Sequence, residues 1–263
     1  MKIHSDPAKT AMETVSPELR PRVQSVARAT AILAAIGNES TGMLPRDVSA
    51  AVGLSRPATY HLLHTLAQVG LVSRTPDGRY VLGLRIGTLA EAFRRQMAEG
   101  PQLSALLRDI ARQSGEALSV TKWINGEAVV IDVVQGNHPI QAIQVPHGFS
   151  QDSFARAGGK LLLANAPDQQ RTLYFATHAL KKRTPHTATT IQELEQQFAQ
   201  IRKVGFAIDR NEFVDGVSCL AVPVPQGVSP YAVTISAPSD RFEGEWQKYL
   251  AILRETIGSY FPV

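Results

Sequence analysis

The chain has 263 residues, 44% hydrophobic and 19% charged, a balance that excludes a wholly disordered protein and fits one large or two modest domains. No apolar run reaches membrane-spanning length, and the first 21 residues interleave Lys2, Asp6, Lys9, Glu13 and Glu18 without the apolar stretch of a secretory signal. A soluble, cytoplasmic protein without a membrane partner is expected. Cys219 is the single cysteine, which excludes internal disulfides and cysteine zinc clusters. The net charge is +4, and its placement is uneven. Residues 1–100 carry 12 Lys and Arg against 8 Asp and Glu, whereas residues 101–263 carry 15 of each. A basic excess confined to one end suits phosphate contact, because neutralising phosphates releases condensed counterions, although an arginine-rich solvated surface has the same composition.

Residues 1–21 read as a disordered tail. Val23, Val26, Ala27, Thr30, Ile32, Leu33 and Ile36 then recur at helical spacing up to Gly37. A second helix opens at Pro45 and places Val48, Ala51 and Val52 inward before Gly53. A third follows at once: Ser55 is positioned to cap it, Pro57 suits its first turn, Leu62, Leu63, Leu66 and Val69 make its apolar face, and Gly70 ends it. Two short helices joined through Val52-Gly53-Leu54-Ser55 match a helix-turn-helix. Arg56, Tyr60, His61 and His64 lie opposite the apolar face, where a recognition helix meets base edges. His61 and His64 share a face as metal ligands would, yet no third ligand is evident and Arg56 would oppose a cation; no metal is expected.

The next two runs, Leu71 to Arg74 and Arg79 to Leu82, flank Thr75-Pro76-Asp77-Gly78, a hairpin signal that predicts a basic wing. Arg74 and Arg79 are placed to meet phosphate or the minor groove, or else remain solvated. Helix, helix-turn-helix and wing predict a DNA-binding domain over residues 22–83. A linker helix follows over residues 84–100, and the Gly100-Pro101 break opens a second domain, 101–263. There Leu103, Leu106, Leu107 and Ile110 mark a helix. Strands are predicted over Ala117–Ile124, Glu127–Val134 and Ile140–Val145, separated by Asn125-Gly126 and Gly136-Asn137. Helices over Phe154–Ala164, Gln169–Thr177 and Ile191–Val204 precede strands at Phe206–Asp209, Val217–Val224 and Tyr231–Ser236 and a terminal helix over Phe242–Tyr260. The expected class is α+β, with helices around an antiparallel sheet. No dinucleotide fingerprint, phosphate loop or nucleophile elbow occurs, so no cofactor, catalytic residue or enzymatic activity is expected.

Several segments then carry a resemblance: Val23 to Ala29, Leu54 to Leu66, Ala157-Gly158-Gly159-Lys160, Thr184-Pro185-His186-Thr187, Gly205 to Asp209, and Gly216 to Ala221. In this order and spacing the chain, from Arg22 to its end, resembles the IclR-type (isocitrate lyase regulator family) bacterial transcriptional regulators. The resemblance implies a winged helix-turn-helix joined by a helix to a GAF-like effector-binding domain. It further implies a homodimer or homotetramer, nucleoid-associated when bound to palindromic operator DNA, that represses or activates. The effector would be a small metabolite, commonly a carboxylate or aromatic acid. Arg28 and Thr59 fall within the matching segments and join the DNA-binding candidates. In the second domain the resemblance implies that the backbone of Ala157 and Gly158, at a helix N-terminus, faces an anionic group. It also implies polar contacts from Asp209, Cys219, Thr234 and Ser236 and an apolar side from Ile140 and Ile143. Trp123 and Phe149 suit an aromatic wall or ordinary core. Cys219, Thr234, Ser236 and Asp209 each fit a structural role equally well. The approach to the Ala-Gly-Gly-Lys turn, Phe149 to Arg156, departs from the apolar-plus-histidine pattern of the family. A buried Asp209 beside a carboxylate needs one of the two protonated, which points to a hydroxylated or neutral polar effector. Two rival readings remain at this point: a DNA-binding oligomer without effector, and a metabolic enzyme fused to a winged helix that would draw on His138, His147, His178 or His186.

Overall fold

The computed structural model describes residues 21–97, 100–142, 145–224 and 231–262. The segment expected to be a disordered tail lies outside these residues up to position 20, as does Ile143. Two compact units divide between Gln96 and Met97.

The first unit holds α1 (Gln24–Gly37), α2 (Pro45–Val52), α3 (Arg56–Gln68), the hairpin β1 (Val72–Arg74) and β2 (Tyr80–Leu82), and α4 (Leu84–Met97). Ile32 and Ile36 of α1, Val48 of α2, and Leu63 and Leu66 of α3 pack with Val72 and Tyr80 into one buried cluster. Gly53 closes α2 with φ 65°, a left-handed value that favours glycine, and sets the turn into α3. Ser55 stands before α3, but its hydroxyl makes no capping bond. Pro57, second in the helix, removes one of the two N–H groups such a cap could accept from, and leaves that of Ala58. Met43 adds a bridge to the wing by exchanging backbone hydrogen bonds with Tyr80.

The second unit holds α5 (Pro101–Ser114), β3 (Ala117–Ile124), β4 (Glu127–Val134), α6 (Ala157–Asn165), α7 (Asp168–Thr177), α8 (Ile191–Val204), β5 (Ala207–Arg210), β6 (Val217–Val224), β7 (Tyr231–Pro238) and α9 (Ser239–Tyr260). The strands form one antiparallel sheet in the order β4-β3-β7-β6-β5. Period-2 alternation divides its faces. Leu118, Val120, Leu220, Val222, Val233 and Ile235 pack with Leu106, Ile110, Phe242, Tyr249 and Leu253 of α5 and α9. Ala128, Ala207, Ala221 and Ala232 instead pack with Leu161, Leu163, Leu194 and Phe198 of α6 and α8.

Two expectations need correction. No strand occurs at residues 140–142 or at Val145; after β4 the chain loops, and Val130 exchanges backbone hydrogen bonds with Gly148 and Phe149 along the outer edge of β4. The segment expected to form one helix from Phe154 is divided. A short 3₁₀ turn, Ser153–Ala155, gives way to extended backbone at Arg156, φ −101° and ψ 139°, and α6 starts at Ala157. Gly159 makes this approach possible, because a Cβ there would lie 2.2 Å from the Ser153 carbonyl oxygen.

Candidate nucleic-acid interface and effector cavity

On α3, Leu63 and Leu66 are buried, while Arg56, Tyr60, His61 and His64 are exposed. At 100° per residue these four fall within one outward sector, with Arg56 and Tyr60 nearest the N-terminal end. Thr59, a DNA-binding candidate through the family resemblance, is fully buried and donates from Oγ1 to the Ser55 carbonyl, 3.1 Å. Its polarity is satisfied inside the helix, so it leaves the list of candidate base contacts. Arg74 is exposed on the wing. Arg79 is tied down: its guanidinium donates to the Gly42 carbonyl at 3.1 Å and pairs with Asp77 at 3.2 Å. Arg28 is exposed on α1. Among the described residues, Arg28, Arg56 and Arg74 have no carboxylate within 4.0 Å, which leaves their charge available to phosphate. Arg56→Ala is expected to weaken operator binding by about 1–3 kcal/mol if Arg56 reads guanine. Gel-shift titrations on operator and random DNA check this, and equal losses on both make Arg56 a phosphate contact.

In the second unit a cavity of about 40 Å³ lies between the sheet and the start of α6. The alternation that sends large apolar residues to α9 sends small polar ones here: Ser119 and Thr121 of β3, Asp209 of β5, Cys219 of β6, and Thr234 and Ser236 of β7. Register aligns them in rows, with Asp209 opposite Cys219, Cys219 opposite Ser236, and Ser119 opposite Thr234. The lining thus brings together Ala157, Gly158, Asp209, Cys219, Thr234 and Ser236. Three expected residues fall elsewhere or outside. Ile140 is 72% exposed, because no strand carries it inward. Trp123 packs 6.3 Å from the Tyr174 ring and does not line the cavity. Ile143 lies outside the described residues.

Asp209 is buried, and its Oδ1 accepts from the Glu212 N–H at 2.7 Å. Burial pushes its carboxyl up to about 7, with Lys160 drawing it down and Glu212 driving it up. Burial, with Asp209 adding to it, pushes the Cys219 thiol up to about 12, and its Sγ donates to Ser236 Oγ at 3.2 Å. Lys160, 1% exposed, pairs with Glu212 at 2.5 Å immediately behind the cavity. Arg156 also lines the cavity, a residue the sequence reading quoted only as part of an unusual approach segment. Its signal was present there, an arginine directly before a small-residue helix start. Ser119 and Thr121 were missed as well, although their alternation with Leu118 and Val120 marked one face of β3.

Among the described residues no group of acidic, histidine or cysteine side chains could hold a metal ion, and no helix is long and apolar enough to cross a membrane.

Comparison with known proteins agrees with this architecture. Residues 25–76 match the IclR helix-turn-helix domain, and residues 101–259 match the bacterial transcriptional regulator IclR C-terminal domain. The chain is 27% identical to the transcriptional repressor IclR of Escherichia coli over 225 residues, 84% of this chain and 82% of that protein. It superposes on the Thermotoga maritima IclR crystal structure with TM-score 0.63 at 27% identity, covering 90% of this chain and 97% of the other. An IclR homologue from Microbacterium hydrocarbonoxydans, solved in complex with 4-hydroxybenzoate, shares the fold with TM-score 0.68 at 20% identity, covering 90% and 97%. With a matching reading head, a matching sensor sheet and full-length relatives that regulate transcription, the chain belongs to the IclR family of transcriptional regulators.

Proposed function

We propose that this regulator binds a small acidic metabolite in the cavity beneath α6, and that occupancy sets its affinity for operator DNA. The convergence of Asp209, Cys219, Thr234 and Ser236 on the first turn of α6 carries this reading. Helix N-termini favour anions through unpaired N–H groups and the dipole, and the acid bound by the Microbacterium homologue makes acids the class to test first. The protein acts on DNA rather than as a catalyst, in the cytoplasm, with Arg56, Tyr60, His61 and His64 of α3 entering the major groove and Arg74 on the flanking backbone.

The regulator acts as a homodimer. Leu84 is 94% exposed and Leu89 53% exposed on α4, while Val23 and Val26 stand out at the start of α1. Apolar side chains this exposed on one unit are best covered by a second copy. Retardation of the promoter fragment upstream of its own gene at low salt, repeated with a panel of organic acids, tests the regulator reading. A change in retardation with at least one acid is expected. Binding that ignores every acid would favour a DNA-binding oligomer without effector, and light scattering reads the assembly.

A further inference from the structure

Arg79 stands one residue before β2, with its side chain 38% exposed. Its Nη1 donates to the Gly42 carbonyl, 3.1 Å away and 37 residues back in the chain, while its Nε pairs with Asp77 at 3.2 Å. Asp77 is held in turn by the Thr75 hydroxyl at 2.6 Å, and that bond, ahead of the Arg79 charge, keeps its carboxyl below the ordinary range. Thr75 also donates to the Arg79 carbonyl, from its N–H at 2.8 Å and its hydroxyl at 3.0 Å. The tip of the wing is thus closed on itself, and Arg79 carries the tie onward to Gly42.

The backbone repeats this connection one residue along. Met43 and Tyr80 exchange N–H···O bonds of 2.9 and 2.7 Å. Gly42, at φ 72°, lies so close to β2 that a Cβ would stand 2.6 Å from the Tyr80 carbonyl oxygen, so left-handed backbone and close approach both require glycine. Because α2 begins at Pro45, the wing is fastened to the entry of the helix-turn-helix. Tyr80 is also the cross-strand partner of Arg74. Arg74 itself is exposed and, among the described residues, has no carboxylate within 4.0 Å.

Resting on the reading of Arg74 as a contact to the DNA backbone, we infer that Arg79 is a positioning residue. It does not touch DNA; by latching the wing to Gly42 it holds Arg74 at the phosphates beside the groove that α3 enters. A hairpin of two three-residue strands has little to fix its own angle, since isolated hairpins are marginal in water. The latch supplies that angle. A guanidinium suits the task because its planar fork donates in two directions at once, whereas an ammonium is a point charge on a flexible stem.

Salt titrations of the full-length protein on its own promoter fragment and on a random duplex of equal length test this assignment. Each phosphate contact contributes about 0.9 to the magnitude of the slope of log affinity against log salt. Arg74→Ala is expected to lower the slope by about that amount per subunit. Arg79→Ala is expected to lower it equally, and the double variant no further than either single one. The shifts are expected on both duplexes, because backbone contacts carry no sequence information. Arg79→Lys keeps the charge but not the fork, and is expected to behave like Arg79→Ala. A double variant with twice the loss, or Arg79→Lys with the unaltered slope, makes Arg79 a phosphate contact and overturns the latch. Loss of folded protein would weaken binding by one factor at every salt concentration, so a lower affinity of Arg79→Ala with an unaltered slope overturns it too. An unaltered slope in Arg74→Ala takes Arg74 off the DNA and sinks the earlier reading together with the latch; a lowered slope there, with any of the other failures, sinks the latch alone.

Discussion

Replacing Lys160 by Met is expected to destabilise the second unit by about 3–5 kcal/mol, read as a lower urea midpoint for the fluorescence of Trp123 and Trp246. Both tryptophans of the chain lie in this unit, so the signal reports on it alone. Lys160 is 1% exposed and bonds to Glu212, itself 7% exposed, whose second oxygen receives only a long 3.4 Å bond from Gln197. Removing the ammonium leaves Glu212 and Asp209 as two buried carboxyl groups without the cation that draws Asp209 down. The loss comes from the orphaned charge rather than from the attraction itself, because desolvating both partners already cancels much of the Coulomb gain. Lys160→Met combined with Glu212→Leu is therefore expected to recover most of the stability. A double variant as unstable as the sum of the two singles would refute this account.

The second large effect concerns Asp209 and pH. Its carboxyl stands at about 7 in the folded chain against an ordinary value of 3.8, so between these values the folded state holds a proton that the unfolded state has released. Stability is then full below about pH 4 and falls as pH rises toward 7. Three units correspond to about 4 kcal/mol at most. Asp209→Asn keeps the acceptor for the Glu212 N–H and removes the titration. It is expected to stabilise the protein by up to that amount at pH 8 and to change little at pH 4, as measured by urea unfolding at the two values. An equal effect at both would show that Asp209 ionises normally. Lys160, Glu212, Arg156 and Cys219 face the same carboxyl. An acid arriving among them raises Asp209 further, so binding takes up protons and weakens above pH 7. Calorimetry in buffers of different ionisation heat measures that uptake.

Much of this was legible in the sequence. Ile191–Val204 and Val217–Val224 emerge with the bounds the periodicity indicated, because glycine or a capping threonine punctuates a clear repeat at their ends. The break at Arg156 was not legible: Ser153 to Leu163 contains no proline, and the glycines that mark it sit after the break, Gly159 for close approach to Ser153 and Gly158 for close approach to Thr121 and Thr234 rather than for a turn. The β-rich run at residues 140–145 looked like a strand because propensity cannot see that Gly148 and Phe149 take the free edge of β4 instead. Thr59 entered the candidates through family likeness, which does not show that its hydroxyl is buried and bonded to the Ser55 carbonyl inside its own helix. The polar floor of the cavity was half legible. Asp209, Cys219, Thr234 and Ser236 came from family likeness, whereas Ser119 and Thr121 required the pairing of β3 with β7.

The Cys219 thiol carries one last implication. Oxidants and alkylating agents attack the thiolate, and a sulfhydryl held near 12 beneath α6 almost never takes that form at physiological pH. The chain has no other sulfhydryl. Cys219 is therefore expected to react slowly with alkylating agents while the protein is folded, and a thiol titration before and after unfolding measures the difference.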